Sequence, residues 1–326
     1  MANIAMVEAV SLALSHELEH DKDVVILGED VGINGGVFRA TSGLAQKFGE
    51  NRVIDTPLAE AMIAGMTVGL ATQGMKPVAE AQFLGFIFPM FEQIVCHAAR
   101  MRNRTRGRLT CPLVIRAPFG GGIHAPEHHS ESIESMFAHT PGIRVVIPSS
   151  PSRAYGLLLA AIRDPDPVLF LEPKRIYRLV KEEVVNDGEE LPLDMCFELR
   201  EGNDITLVTW GSMVKETLEA ADALAKQDIS AEVIDVATVS PIDHDTIAES
   251  VKKTGRCVII QEAPKHCSVG SEIAATLAEN SLYSLMAPVK RVAGYDVIMP
   301  LFKLEKKYMP TVGRILKAVN EVMEVS

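Results

Sequence analysis

The run Asp55-Thr56-Pro57-Leu58-Ala59-Glu60 sets one carboxylate into the first turn of a helix built from small residues. The sequence predicts that helix over Leu58–Gln73, with Thr56 as N-cap and Pro57 as first helical residue. Its body, AEAMIAGMTVGLATQG, places Gly65 and Gly69 four apart, so that another backbone can come close. A carboxylate held at such a seam suits proton exchange with a bound group. On local grounds alone, an acid in a first turn only complements the helix dipole.

A second stretch, RAPFGGGIHAPEHHSES, gathers His124, Glu127, His128 and His129. It follows a strand and so belongs at the carboxyl edge of a sheet, where α/β proteins bind ligands. His124 to His128 spell the H-x-x-E-H zinc-hydrolase pattern, but that pattern works only on a helix. Pro126 and the preceding glycines argue against a helix there. His129, where the loop meets the next helix, is placed for acid–base work. The earlier glycine loop, GEDVGINGGVFRA, lacks G-x-G-x-x-G spacing, and Glu29 and Asp30 would repel a pyrophosphate. Neither a Walker A run nor G-x-S-x-G occurs. Cys96 and His97 are adjacent on a predicted helix and point apart.

The elements that must position these residues alternate. A helix is expected over Ile4–Glu19 with Asn3 as cap. Strands are expected at Val24–Leu27, Arg52–Ile54, Pro77–Gln82, Pro112–Ala117, Arg144–Ile147 and Val168–Leu171. Helices fall between them, including Phe86–Met101, Glu131–Ala138 and Ser152–Arg163. This rhythm predicts a parallel α/β sheet with helices on both faces. Residues 172–200, with Pro173, Asn186-Asp187-Gly188 and Pro192, break it and read as a connection. A smaller α/β set follows from Asp204. The expected division is residues 1–180, a linker 181–203, and residues 204–326.

The chain has 326 residues, a net charge of -11 and 47% apolar residues, so it can bury a large core but is poorly suited to nucleic acid. The basic run Arg100–Arg108 reads as the solvated end of a helix. The five cysteines, with no C-x-x-C pair, fit reduced thiols and a cytoplasmic setting. The N-terminal stretch lacks the basic segment and cleavage site of a targeting peptide, and no apolar run reaches membrane-span length.

Across nearly its whole length the chain resembles the β subunit of the E1 component of 2-oxo acid dehydrogenase complexes. The stretches that carry the likeness are GEDVGINGGVFRAT, DTPLAE, RAPFGGG, HHSES, HTPGIRVVIPSSP, DPDPVLFLEPKRIYR, REGNDITLVTWGS, KTGRCVIIQEAP and APVKRVAGYD. The resemblance implies a pyrimidine-binding domain of transketolase type followed by a transketolase C-terminal-like domain. It implies thiamine diphosphate as cofactor and oxidative decarboxylation of a small 2-oxo acid, with transfer of the acyl group to the lipoyl group of an E2 acyltransferase.

By the same resemblance, Glu60 is the glutamate that hydrogen-bonds N1' of the aminopyrimidine. Leu58 and Gln82 line the pyrimidine pocket, and Phe86 packs on the ring. His129 handles protons or orients the lipoyl group. A structural K⁺ is implied at Leu113, Val114, Ala161, Asp164 and Asp166, largely through main-chain carbonyls. The G-D-G and asparagine run that holds Mg²⁺ and the diphosphate is missing. An α subunit is therefore expected to supply that half of the site in an α2β2 heterotetramer. EPKRIYR leans toward a branched-chain substrate; pyruvate and acetoin enzymes are the related alternatives. A subunit that only docks E2 is the reading from a different class. Met286 stands where relatives often carry an acid before APxxRV, which bears on how E2 would dock.

Overall fold

The computed structural model describes residues 2–325. Seven strands form the first sheet, in the order Thr238–Ser240, Arg144–Val146, Val168–Pro173, Val114–Phe119, Lys76–Glu80, Val24–Gly28 and Val53–Asp55. All neighbours are parallel except the edge strand Thr238–Ser240, which is antiparallel to Arg144–Val146 and comes from the second half of the chain. The second sheet has five strands, Lys290–Gly294, Cys257–Pro264, Ile205–Thr209, Ala231–Asp235 and Phe197–Arg200, the last antiparallel.

Strand residues alternate between two apolar layers, as a period of two demands. Ile26, Val114, Val168 and Phe170 face the helices Met6–His20 and Pro151–Arg163. Leu27, Ile115, Leu169 and Leu171 face the other way, into a core that runs without a break to Trp210, Ile259 and Ile273 of the second sheet. The two halves therefore share one apolar interior. The helix Pro151–Arg163 starts on Ser150, whose side chain accepts from the Arg153 N–H, a cap contributing about 1 kcal/mol.

Several expected boundaries shift for identifiable reasons. Ala2–Ala5 is a strand paired with Lys181–Val184, so the first helix begins at Met6 and Asn3 caps nothing; Glu8 instead accepts from the Ala5 N–H at 2.7 Å. The helix carrying Glu60 starts at Glu60 itself and ends at Thr72, with Ala59 at the N-cap. Thr56 does not cap it, because it stands four residues before the first helical residue: its Oγ1 is buried without a partner, and its N–H prolongs the strand pairing by donating to the Gly28 carbonyl at 3.0 Å. The predicted helix Phe86–Met101 is broken into short turns at Leu84–Phe86 and Phe88–Met90, a π-helical stretch Gln93–Ala98, and one turn Met101–Arg104. Pro89, without an N–H, interrupts the ladder near its start. No described helix is long and apolar enough to cross a membrane.

Candidate active site

Parallel pairing brings four strand ends together. Gly28 is in register with Asp55 on one side and Glu80 on the other, and Glu80 with Arg116. The segments that leave these strands at their carboxyl ends carry Glu29, Glu60, Gln82, Phe86 and the 120–132 loop. Below them lies an ion cluster. Arg116, fully buried, donates to both carboxylate oxygens of Glu172 at 2.6 and 2.9 Å and to Glu80 at 2.9 Å. The Tyr177 hydroxyl also donates to Glu172. Burial alone would weaken the Arg116 cation, but the two carboxylates outweigh it and hold the guanidinium protonated. Burial raises the pKa of Glu80, and Arg116 offsets this only in part. A buried pair anchored this way fixes geometry more surely than it adds stability.

Glu60 is half-buried at the N-terminus of its helix. Beside it stands Glu29, nearly buried, with Oε1 out of reach of any partner. Burial raises the Glu29 pKa, and the charges of Glu60 and Asp30 push it further; the Ala59 N–H opposes them. The two carboxylates thus lie near enough for the charge of Glu60 to act on Glu29. Asp55 accepts from the N–H groups of Gly32 at 2.6 Å and Ile33 at 3.0 Å. The first glycine loop therefore spends those donors on the protein's own acid, which agrees with rejecting a dinucleotide site there.

The same helix is apolar on every side. Ile63, Ala64, Thr67 and Ala71 face inward, while Leu58, Met62 and Met66 are exposed along one stripe that continues to Gly69, around which the space is open. Leu58 is 79% exposed, just ahead of Glu60. A helix apolar all round is built to be covered by something further.

His129 lies in the short turn Glu127–His129 and is half-buried. Its ring stands edge-on to Phe83 at 4.5 Å and to Phe86 at 5.2 Å between centroids. Its Nδ1 is buried without a partner. Phe86 thus joins His129 in one aromatic wall, with half-buried Gln82 nearby in sequence. His124 lies in the loop and Glu127 and His128 in a single 3-10 turn, not in the α-helix that an H-x-x-E-H site needs, and no cluster of three metal-ligating side chains exists among the described residues.

Leu113, Val114, Ala161, Asp164 and Asp166 are gathered where the helix Pro151–Arg163 ends beside the strand Val114–Phe119, since Val114 pairs with Val168. The carboxylates there are engaged: Asp164 with Arg144 at 3.3 Å, Asp166 with Arg102 at 2.8 Å. The Leu113 carbonyl accepts from the Val168 N–H at 3.0 Å.

Four residues around the site escape reasoning from the sequence. Phe83 has only its place in QFLGF as a signal. Glu29 reads in the sequence only as an obstacle to phosphate. Glu262 and Glu305 arrive from the second half of the chain, and no local pattern marks them. Glu262 accepts from Gly121 N–H, from Ser132 Oγ at 3.2 Å and from Ser212 Oγ at 2.6 Å. Glu305 accepts from Gly122 N–H at 2.7 Å and pairs with His124 Nδ1 at 2.8 Å.

Comparison with known proteins bears on this geometry. Residues 2–180 match the family described as transketolase, pyrimidine binding domain, and residues 196–315 match the transketolase C-terminal domain. The chain is 48% identical over 324 residues to the pyruvate dehydrogenase E1 component subunit beta of Staphylococcus aureus, covering 99% of this chain and 100% of that protein. It is equally close to the subunit of the same description from Bacillus subtilis (strain 168), with the same coverage. Among solved structures it is similar to a split gene transketolase, described as an inactive beta4 tetramer, with a TM-score of 0.82, 26% identity and 99% of each chain covered.

Proposed function

Since the chain belongs to the E1 β subunits of thiamine-diphosphate-dependent 2-oxo acid dehydrogenases, we propose that Glu60 and His129 are its catalytic groups and that it works only when joined to an α subunit. The observation that carries this reading is the placement of Glu60. It opens a helix at the carboxyl edge of the sheet, stands beside the buried carboxyl group of Glu29, and borders an exposed apolar stripe.

These residues fit the pyrimidine half of thiamine diphosphate. A carboxyl group at a half-buried helix start can share a proton with N1' of the pyrimidine, donating as the acid or accepting from the protonated ring, and the aromatic wall of Phe86 offers a flat surface to its ring. Leu58 and Gln82 would complete the lining. When bound, the cofactor supplies the electron sink for loss of carbon dioxide. Glu60 would hold and return a proton at N1', and a desolvated neighbour such as Glu29 makes that exchange sensitive to local charge. His129, with its rotation limited by Phe83 and Phe86, would hold the proton needed as the acyl group passes to the lipoyl group of E2.

Mg²⁺ and the diphosphate would be held by the α subunit of an α2β2 assembly, and the stripe Leu58–Met62–Met66 supports a subunit contact at this helix. K⁺ at Leu113, Val114, Ala161, Asp164 and Asp166 would rest on main-chain carbonyls, because the two acids already serve arginines. The unbridged cysteines support a reducing, cytoplasmic compartment.

For the substrate, the relatives described as pyruvate dehydrogenase subunits support pyruvate. EPKRIYR leans toward branched-chain acids. Yet Lys174 of that stretch is buried against Phe83, and Arg175 pairs with Glu216 at 2.5 Å, so these two residues serve internal packing. The test is to co-express the chain with a family α subunit and compare decarboxylation of pyruvate and 2-oxoisovalerate. Faster turnover of pyruvate supports the first choice. Turnover of neither would retract the catalytic reading in favour of a subunit that only docks E2.

A further inference from the structure

We propose that Glu305, seconded by Glu262, is a positioning residue for His129, so that the second half of the chain sets the geometry of the catalytic loop. The inference rests on the reading of His129 given above and goes beyond it.

The loop begins as a set of main-chain donors. Gly120, Gly122 and His124 all have positive φ, at 82, 85 and 60°, which turns successive N–H groups inward to form an anion-binding nest. In many proteins such a nest takes a phosphate. Here it is filled from within. Glu262 receives the Gly121 N–H. Glu305 receives the Gly122 N–H at 2.7 Å and the His124 N–H at 3.3 Å to each oxygen, and it also pairs with the His124 ring at 2.8 Å. The Glu305 side chain is 3% exposed, so these bonds form with water largely shut out.

The surroundings of the loop leave no room for side chains on its glycines. A Cβ on Gly120 would strike the Glu262 carboxylate, one on Gly121 the Met299 side chain, and one on Gly122 the Arg175 side chain. FGGG is therefore a docking surface for the protein's own carboxylates, not a vacant phosphate cradle.

The loop is also closed on itself. Gly120 N–H donates to the Glu131 carbonyl at 2.9 Å, which brings the two ends together, and His129 N–H donates to Pro126 at 3.0 Å. On its far side the His128 carbonyl lies against Gly85, with no room for a Cβ there. His129 is thus held between the Leu84–Phe86 turn and the part of the loop that Glu305 grips. Releasing that grip lets the ring drift from its place beside Phe86. Displacements near 1 Å in such groups cost up to roughly a hundredfold in rate.

The experiment is a double-mutant cycle in the assembled α2β2 enzyme, reading the single-turnover rate of acyl transfer to lipoylated E2 domain. The variants are His129→Ala, Glu305→Ala and the pair. Glu305→Ala should lower that single-turnover rate by roughly tenfold or more, with little change in the KM for the 2-oxo acid measured separately at steady state. It should have no further effect in the His129→Ala background, and it should speed hydrogen exchange at the amides of Gly122 and His124. Glu305→Gln, which keeps one acceptor oxygen, should fall between, and it carries the same cycle if the alanine variant does not assemble. Full additivity of the two losses, or an unchanged rate in Glu305→Ala, would overturn this inference alone. Full activity in His129→Ala would retract the reading of His129, and this inference with it.

Discussion

The imidazole of His129 meets the ring of Phe83 edge-on, with centroids 4.5 Å apart and planes at 73°. The amine of Lys174 lies 5.5 Å from the centroid of the same ring, buried without a hydrogen-bond partner. Phe83 is therefore shared between the histidine and a desolvated lysine, whose pKa burial lowers to about 7 while Glu262 and Glu131 pull it upward. The ring braces the imidazole from one side.

Phe83→Leu tests the brace. Phe to Leu shortens a buried side chain and removes the edge contact, together about 1–3 kcal/mol of stability. Acyl transfer to E2 should slow several-fold at a temperature well below the lowered unfolding midpoint. An unchanged transfer rate would show that Phe83 is only packing.

Arg116→Met removes the cation from beneath the site and strands Glu80 and Glu172. The expected loss is about 3–5 kcal/mol, read as a drop in the denaturant midpoint. Replacing Glu80 and Glu172 by apolar residues in the same background should recover much of it, because the penalty comes from uncompensated charge. Failure to recover would point to packing of the arginine stem instead.

Glu134 gives a pH-dependent signature. It is buried, burial raises its pKa to about 7, and Oε2 has no partner. The folded form therefore binds a proton more tightly than the unfolded chain, where the value is 4.5. The stabilisation from this proton is complete below the unfolded value and is lost as pH rises from about 4.5 through about 7, by on the order of 3 kcal/mol. Glu134→Gln should flatten that decline, gaining more over the parent at pH 8 than at pH 5. Urea unfolding at the two pH values measures it, and an equal effect at both would refute it.

Met62→Glu probes the exposed stripe. At 42% exposure, the substitution should change the fold stability of the isolated chain by no more than about 0.5 kcal/mol. Burying that charge against another subunit would be costly, so co-purification with the α subunit should fall sharply. Normal assembly would move the contact away from this helix.

Much of this was legible in the residues. The alternation of apolar runs marks the parallel sheets, and the carboxyl-edge rule places the His129 loop. Local rules failed where distant partners decide. Thr56 looks like a cap, but strand pairing carries the chain past it and the helix opens only at Glu60. Asn3 looks like a cap, but residues 181–184 draw it into a strand. The 86–101 stretch has helical spacing, yet Pro89 breaks it. Glu262 and Glu305 reach the histidine loop from more than 130 residues away, and no window on the sequence could have paired them.

The central claim is that Glu60 exchanges a proton with the cofactor at a contact between two subunits. The direct measurement is the decarboxylation rate of Glu60→Ala in the reconstituted heterotetramer, after gel filtration has verified that it assembles. The account predicts an assembled enzyme with activity reduced by at least about a hundredfold. An assembled variant that decarboxylates at the parent rate would contradict it.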